Sequence, residues 1–193
     1  MLLQNDLIQL RAMEPADAEA MYRWENDTAL WSLGETTRPF SRAAVEEFIA
    51  QASLDIYQAR QLRLMIEPQA PASSVSATSA ERAGSAGGAV GCIDLFCFDP
   101  LHRRAGVGIL VYDPACRRKG YGLAALQLTT EYAFQHLEMR QLWADIPLSN
   151  TASLRLFDKA GFTGDAIRRA WVRTPTGAYE DARFVQCLNT QIG

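Results

Sequence analysis

Residues 109–125 have the sequence ILVYDPACRRKGYGLAA, and this stretch decides the fold. The apolar run at its start predicts a strand, which Asp113 and Pro114 end. A basic turn with two glycines, Gly120 and Gly122, leads from there into a run of helix-forming residues. The first turn of a helix has unpaired N–H groups and a favourable dipole for negative charge, so this stretch predicts an anion site suited to pyrophosphate.

Three cations, Arg117, Arg118 and Lys119, precede the first glycine. Both glycines let the backbone approach a bulky anion closely, and either one can adopt a positive φ. The order of residues does not fit a P-loop, which needs Gly-Lys-Ser/Thr, and two glycines are too few for a dinucleotide fingerprint. From the loop alone, a basic surface turn that caps a helix stays open as an alternative.

Length and composition predict one globular domain over 1–193. Hydrophobic residues make up 48% and charged residues 21%, which is ordinary for a globular protein. The net charge of −3 argues against general nucleic-acid binding and is compatible with a cationic substrate. No stretch has the length of a membrane span or the pattern of a secretory leader, so we expect a cytoplasmic protein without membrane contact.

The cysteines predict neither disulfides nor a metal site. They are scattered and lack Cys-x-x-Cys spacing, which favours buried free thiols and no metal: Cys92, Cys97, Cys116 and Cys187. Cys116 lies beside the basic turn and a helix start, which predicts a lowered pKa. We assign it a structural role, because the anion site needs no nucleophile.

The hydrophobic pattern predicts the order β-α-α-β-β-β-α-β-α-β-β, an α/β fold with a mixed sheet and helices on both faces. Helices are predicted to begin near Pro15, after Ser41, after Gly120 and after Asn150. The strands are predicted over 7–11, 62–67, 90–98, 107–111, 141–146, 162–172 and 182–188.

Residues 68–88 are nearly all Ala, Ser, Pro and Gly, and only Glu81 and Arg82 carry charge. This composition cannot bury a core, so it predicts a disordered loop between two strands of the sheet. A lid is the alternative for a loop of this length.

Three short motifs resemble the GCN5-related N-acetyltransferases (GNAT): Arg-x-x-Gly-x-Gly at 117–122, Asn-Thr-Ala-Ser at 150–153 and Lys-Ala-Gly-Phe at 159–162. The resemblance extends over 7–188. It implies the GNAT fold, with a mostly antiparallel sheet of about seven strands splayed at the acetyl-CoA site. It also implies acetyl transfer from acetyl-CoA, the cosubstrate, to a primary amine, with no metal.

The resemblance implies which residues contact acetyl-CoA. The backbone near the end of the fourth strand would pair with the pantetheine arm, and one N–H there would stabilise the thioester oxygen. Asn150 would also contact the pantetheine arm. The full set is Leu110, Val111, Tyr112, Arg117, Arg118, Lys119, Gly120, Tyr121, Gly122, Asn150, Ser153 and Phe157.

Asp94 is the expected general base. A primary amine with a pKa of about 10 must lose a proton before it attacks, and a carboxylate or a water held by one removes it. Asp94 stands mid-strand among apolar neighbours, where an unpaired carboxylate is costly. Bacterial spermidine acetyltransferases, which 91–105 resembles, carry a Glu there. The alternative is a structural ion pair with Arg103 or Arg104.

Many relatives place a Tyr seven residues after the motif Asn, where this chain has Phe157. Ser153, which resembles a Ser of the ribosomal-protein N-terminal acetylating branch, is then the expected group for supporting the departing thiolate. The missing phenol keeps open an alternative function, a non-catalytic acetyl-CoA-binding regulatory module of the same fold.

The acceptor site in this family is bordered by the two helices after the first strand. The expected substrate is an amine-bearing small molecule, such as a polyamine, or a peptide α-amine. Nucleic acid is not expected, and a homo-oligomer is compatible with the resemblance. These two helices and the link between them form one wall of the acceptor site in the family, and the acidic residues near this wall are Glu25, Asp27, Glu35, Glu46 and Glu47.

Deleting residues 70–87 should leave thermal stability nearly unchanged, because the segment has little to bury and a shorter loop is slightly easier to close. Thermal unfolding of the deletion variant measures this. A fall in Tm of about ten degrees or more, several times what loop closure changes, would show that the segment packs.

Overall fold

The computed structural model describes residues 2–31, 36–69 and 88–190. Nearly all of the predicted disordered loop lies outside these ranges, and so does Glu35.

The elements follow the predicted order, with short additions. The helices are α1 (Ala18–Glu25), α2 (Arg42–Gln51), α3 (Ile56–Ala59), α4 (Tyr121–Gln135) and α5 (Thr151–Lys159), and 3-10 turns occupy Pro15–Asp17 and Pro114–Cys116. The strands are β1 (Ile8–Arg11), β2 (Leu62–Pro68), β3 (Gly91–Asp99), β4 (Arg104–Val111), β5 (Gln141–Pro147), β6 (Thr163–Arg173) and β7 (Tyr179–Leu188).

The strands form one sheet in the order β1-β2-β3-β4-β5-β7-β6. Within the described ranges, β4 and β5 are the one parallel pair, and the other neighbours are antiparallel. The predicted fold class, a mostly antiparallel seven-stranded sheet with helices on both faces, is confirmed.

Each face of the sheet packs against its own helices, because side chains alternate along a strand. On one face, α1 and α2 bury Met21, Trp24, Val45 and Ile49 against Met65 and Cys92. On the other face, α4 and α5 bury Leu126, Leu128 and Phe157 against Ile66, Ile93 and Leu142.

The short helix α3 was not predicted from the sequence. Asp55 caps it, accepting a hydrogen bond from the Gln58 N–H at 3.0 Å, and Arg60 ends it with a φ of 57°. A helix of about one turn shows no hydrophobic periodicity, so the pattern that reveals longer helices cannot find it.

The sheet opens between β4 and β5, as the family resemblance implied. The two strands pair only from Arg104 to Gly106, although β4 continues to Val111 and β5 continues to Pro147. Among the described strands, the last five residues of β4 therefore have a neighbour on one side only, and this gap positions the candidate site.

A buried ion pair joins β1 to the start of α1. Asp17 is 0% exposed and accepts hydrogen bonds from the Arg11 guanidinium at 2.7 and 2.9 Å and from the Glu14 N–H at 2.9 Å. Replacing Asp17 by Asn should lower the free energy of unfolding by about 3–5 kcal/mol, because it breaks a buried charge pair. Chemical denaturation measures this loss.

Glu19→Gln is the matched control, since Glu19 pairs with Arg42 on the exposed surface and should leave the denaturation midpoint unchanged. Equal midpoints for the two variants would contradict a structural role for Asp17.

Candidate active site

The free edge of β4 is the first component of the site. The Tyr112 N–H donates to the Val90 carbonyl at 3.0 Å, so Tyr112 faces β3. Backbone groups alternate in direction along an antiparallel pair, so Leu110 also faces β3, whereas Ile109 and Val111 face the gap. Of the three residues expected to supply an N–H to the thioester oxygen, Val111 is therefore the one with a suitable direction.

The turn after β4 gathers backbone N–H groups. Arg118 has a φ of 62° and Gly120 a φ of 88°, both in the left-handed region. Turns with such residues form concave anion sites. Gly120 is the N-cap of α4, so the first N–H groups of this 15-residue helix, from Tyr121 onward, lack helical acceptors. This geometry fits a diphosphate.

The three cations of the turn are not equivalent. Arg117 donates to the Val111 and Tyr112 carbonyls, each at 3.1 Å, so it ties the turn to the end of β4. Arg118 and Lys119 are exposed, and neither side chain has an ion pair with another described residue. These two remain available for a bound anion.

Gly122 brings α4 and α5 together beside the gap. A Cβ at this position would lie 3.3 Å from Leu156 Cδ2 and 3.8 Å from Ile109 Cδ1. The small residue therefore serves packing of the two helices against β4, besides any approach to a ligand. Tyr121 is partly buried against the same core.

Asn150 begins α5, as the sequence predicted. Its side-chain oxygen accepts a hydrogen bond from the Ser153 N–H at 3.1 Å, which is an N-cap. Asn150 and Ser153 are both partly exposed. The cap leaves the amide NH₂ of Asn150 and the hydroxyl of Ser153 able to contact a ligand.

Phe157 lies in the hydrophobic core. It is 3% exposed, and its ring meets the Phe162 ring edge-on with a centroid distance of 5.0 Å. Its contact with a coenzyme stays a prediction, and what the structure shows is a packing role.

Asp94 forms an ion pair, but with neither of the arginines considered from the sequence. Arg63 donates to both Asp94 oxygens, at 2.7 and 3.1 Å, and also to Glu25 at 2.5 Å. Arg103 and Arg104 pair with other carboxylates. Sheet register explains the partner, because Arg63 of β2 lies directly opposite Asp94 of β3.

The Arg63 guanidinium is a permanent cation. Burial alone would lower the pKa of Arg63, but the surrounding negative groups, Asp94 and Glu25 among them, outweigh burial and raise this pKa above its usual value. Burial raises the pKa of the neighbouring Cys92 thiol to about 12, so that thiol stays neutral. The cluster of Glu25, Arg63 and Asp94 thus carries a net charge of −1.

Arg63 was not predicted from the sequence, although a signal was present. Arg63 is a lone charge between Leu62 and Leu64 of β2, just as Asp94 is a lone charge between apolar residues of β3. Opposite charges in the middle of neighbouring apolar strands are typical of a cross-strand pair.

The cysteines differ from the prediction in two respects. All four are free thiols, but Cys97 is exposed, with a φ of 48° next to a shift of register in β3. Burial, and then the nearby Asp113 carboxylate, raise the pKa of the Cys116 thiol. The lowering predicted from the basic turn is wrong, because burial and Asp113 outweigh Lys119 there.

A cleft of about 330 Å³ lies at the other end of the parallel pair. It involves Asp99, Arg104 and Gln141, at the start of β4 and β5, whereas the gap lies at the strands' far ends. Within the described residues no group of three His, Cys, Asp or Glu is placed to hold a metal ion. No described helix is long and apolar enough to cross a membrane.

This chain belongs to the GNAT acetyltransferase family: the model of the acetyltransferase (GNAT) domain matches residues 8–163. It is 34% identical over 65 residues to the probable N-acetyltransferase YjcK of Bacillus subtilis. That match spans only about a third of each protein, 34% of this chain and 35% of YjcK.

Solved structures share the fold over nearly the whole chain. Spermidine N-acetyltransferase from Vibrio cholerae, solved with CoA and spermine, has a TM-score of 0.75 at 19% identity, covering 95% of this chain and 96% of that one. A probable acetyltransferase has a TM-score of 0.74 at 22% identity, covering 95% and 94%. A dodecameric form of the Vibrio enzyme has a TM-score of 0.71 at 19% identity, covering 97% and 96%.

Gly120→Asp should abolish acetyl-CoA binding and leave the fold intact, because it places a negative charge where the turn gathers N–H groups. Asp is among the residues that tolerate a positive φ. Isothermal calorimetry with acetyl-CoA measures the affinity, and circular dichroism checks the fold.

Gly120→Asn is the matched control, since it has nearly the same shape and tolerates the same φ without the charge, and it should bind more tightly than Gly120→Asp. Wild-type affinity for acetyl-CoA in a folded Gly120→Asp variant would show that this turn is not part of the binding site.

Proposed function

We propose that the protein is an acetyl-CoA-dependent N-acetyltransferase that transfers an acetyl group to a primary amine. The observation that carries the proposal is the unpaired end of β4 leading directly into a concave basic turn at the start of α4. Its membership in the GNAT family and the functions of the similar proteins named above support the same reaction.

The chain's own groups divide the binding of acetyl-CoA into two parts. Backbone N–H groups of the turn and of the first turn of α4, with Arg118 and Lys119, bind the diphosphate. Ile109 offers its backbone N–H and carbonyl and Val111 offers its N–H along the gap, where the amides of the pantetheine arm add as a further strand. Asn150 contacts the same arm from the other side of the gap.

Val111 stabilises the reacting carbonyl. Its N–H faces the gap at the end of β4, where the thioester oxygen gains negative charge as the amine attacks. A backbone donor fixed in a sheet needs no reorganisation during the reaction, so it favours the transition state.

Asp94 takes the proton from the attacking amine through a water molecule. Asp94 lies opposite Gly108 on β4, three residues before Val111, which is about 10 Å along the strand. That separation is too long for direct transfer. As the C–N bond forms, the amine proton moves to the water and on to the carboxylate.

Ser153 supports the departing thiolate with its hydroxyl. The C–S bond breaks as the amide forms, and the sulfur then needs a hydrogen bond or a proton. No described residue forms a hydrogen bond with the Ser153 hydroxyl, whose partly exposed position at the start of α5 leaves it accessible. Phe157 has no hydroxyl and cannot act in this step.

Two measurements in sequence test the proposal. Calorimetry should first show binding of acetyl-CoA, and a thiol-release assay should then show CoA formed in the presence of monoamines, polyamines, aminoglycosides or N-terminal peptides. Binding without thiol release for any amine would favour the regulatory-module alternative.

Replacing Asp94 by Asn should lower kcat/KM by about 10² to 10⁴, the range for loss of a general base, without weakening acetyl-CoA binding. The thiol-release assay measures the rate over a range of pH. Asp99→Asn, at the end of the same strand, is the control for loss of an ion-paired carboxylate and should keep its activity. An unchanged pH profile in Asp94→Asn would show that another group is the general base.

Replacing Ser153 by Ala should reduce kcat about ten-fold or more, at the lower end of effects for proton-transfer groups, with little change in affinity for acetyl-CoA. Thr151→Ala removes an exposed hydroxyl from the same helix and serves as the control. Full activity in Ser153→Ala would leave solvent as the proton source.

A further inference from the structure

We infer that Arg63 is a specificity-determining residue that directs this enzyme to amines bearing a single positive charge and disfavours polyamines. The inference rests on the proposed acetyl transfer and concerns the charge of the acceptor. Its basis is that the Arg63 guanidinium already lies between Glu25 and Asp94 and engages the two carboxylates that a second ammonium group would need.

The cluster lies on the face of the sheet from which side chains at the end of β4 project. Asp94 and Cys92 project to the same face, and Cys92 packs with Trp24 of α1 and with Leu110 of β4. The centroid of the Trp24 ring lies 5.9 Å from that of the Tyr112 ring, and Tyr112 directly follows the end of β4. The two carboxylates therefore border the face where an acceptor approaches Val111.

Both carboxylates reach solvent, so they are open to a ligand. The exposed fraction is 24% for the Glu25 side chain and 27% for the Asp94 side chain. A pair of partly buried carboxylates without a cation would attract a diamine strongly, because desolvation increases the interaction between charges.

Arg63 is held in place from three sides. Asp94 binds it with both oxygens, Glu25 binds a third guanidinium nitrogen, and the Phe48 ring of α2 lies 5.4 Å from the guanidinium carbon. An arginine fixed by two carboxylates and a ring does not move aside for an ammonium group, which has a weaker, single-point contact to offer.

The other carboxylates of α1 and α2 do not replace this site. Glu19, Glu46 and Glu47 are exposed, and Glu19 is paired with Arg42. Glu25 is the helical carboxylate that lies against the sheet. The sheet-facing part of this wall therefore keeps a formal net charge of −1, spread over two carboxylates that Arg63 already engages, so a second ammonium group gains little there.

The test compares 1,5-diaminopentane with pentylamine, two acceptors of similar length that differ by one ammonium group. For the wild type, kcat/KM in the thiol-release assay should be about the same for both, within the statistical factor of two. A preference for the diamine of ten-fold or more would overturn the inference. Failure of every amine to release thiol would instead overturn the proposed function.

Arg63→Gln should raise the diamine-to-monoamine ratio about ten-fold by exposing two carboxylates. Arg63→Lys keeps the charge but offers only a single-point contact, so its ratio should lie between those of the wild type and Arg63→Gln. Arg42→Gln, which breaks an exposed ion pair of the same helices, should keep the wild-type ratio. A folded Arg63→Gln variant with the wild-type ratio would overturn the inference.

Glu25→Gln provides a second test if the Arg63→Gln variant does not fold. It leaves Arg63 paired with Asp94 alone, so the cluster becomes neutral, and the diamine-to-monoamine ratio should fall about three-fold or more. An unchanged or increased ratio in Glu25→Gln would count against the charge argument.

Discussion

The early end of pairing between β4 and β5 is the constraint on which the rest of the site depends. Beyond Gly106 no described strand pairs with this side of β4, so the N–H groups of every second residue point into the gap. A sheet interior normally satisfies such groups. In the proposed site these groups bind the ligand, and the basic turn and the start of α5 border the same gap.

Most of the architecture could be predicted from the sequence because it depends on local rules. Alternation marks the strands, Asn150 marks the start of α5 through its side-chain cap, and the left-handed Gly120 marks the start of α4. The short helix α3 was not predicted, because a single helical turn shows no hydrophobic periodicity. The direction of each N–H along β4 could not be predicted, because it depends on the register of the strand pairing. Only the pairing with β3 shows that the N–H of Val111 faces the gap and that of Tyr112 does not.

The site's charge pattern was only partly accessible from the sequence, because it depends on contacts distant in the chain. Arg63 and Asp94 are 31 residues apart, and Arg63 and Glu25 are 38 apart. Neighbouring charges near Asp94 in the sequence pointed to Arg103 and Arg104, while the sheet brings Arg63 opposite Asp94. A partly buried cluster of this kind adds little stability on average. In the proposed role of Arg63, the packing of α1 against β2 and β3 affects the choice of acceptor.

The most direct test of the account is residue-resolved amide hydrogen exchange of the protein with and without CoA. Bound CoA should slow amide exchange at Ile109 and Val111, whose N–H groups face the gap, and at Tyr121 and Gly122 in the first turn of α4. Leu110 and Tyr112 should change little, because their N–H groups already face β3. Bound CoA that leaves Ile109 and Val111 unprotected would contradict the claim that the free edge of β4 is the coenzyme site.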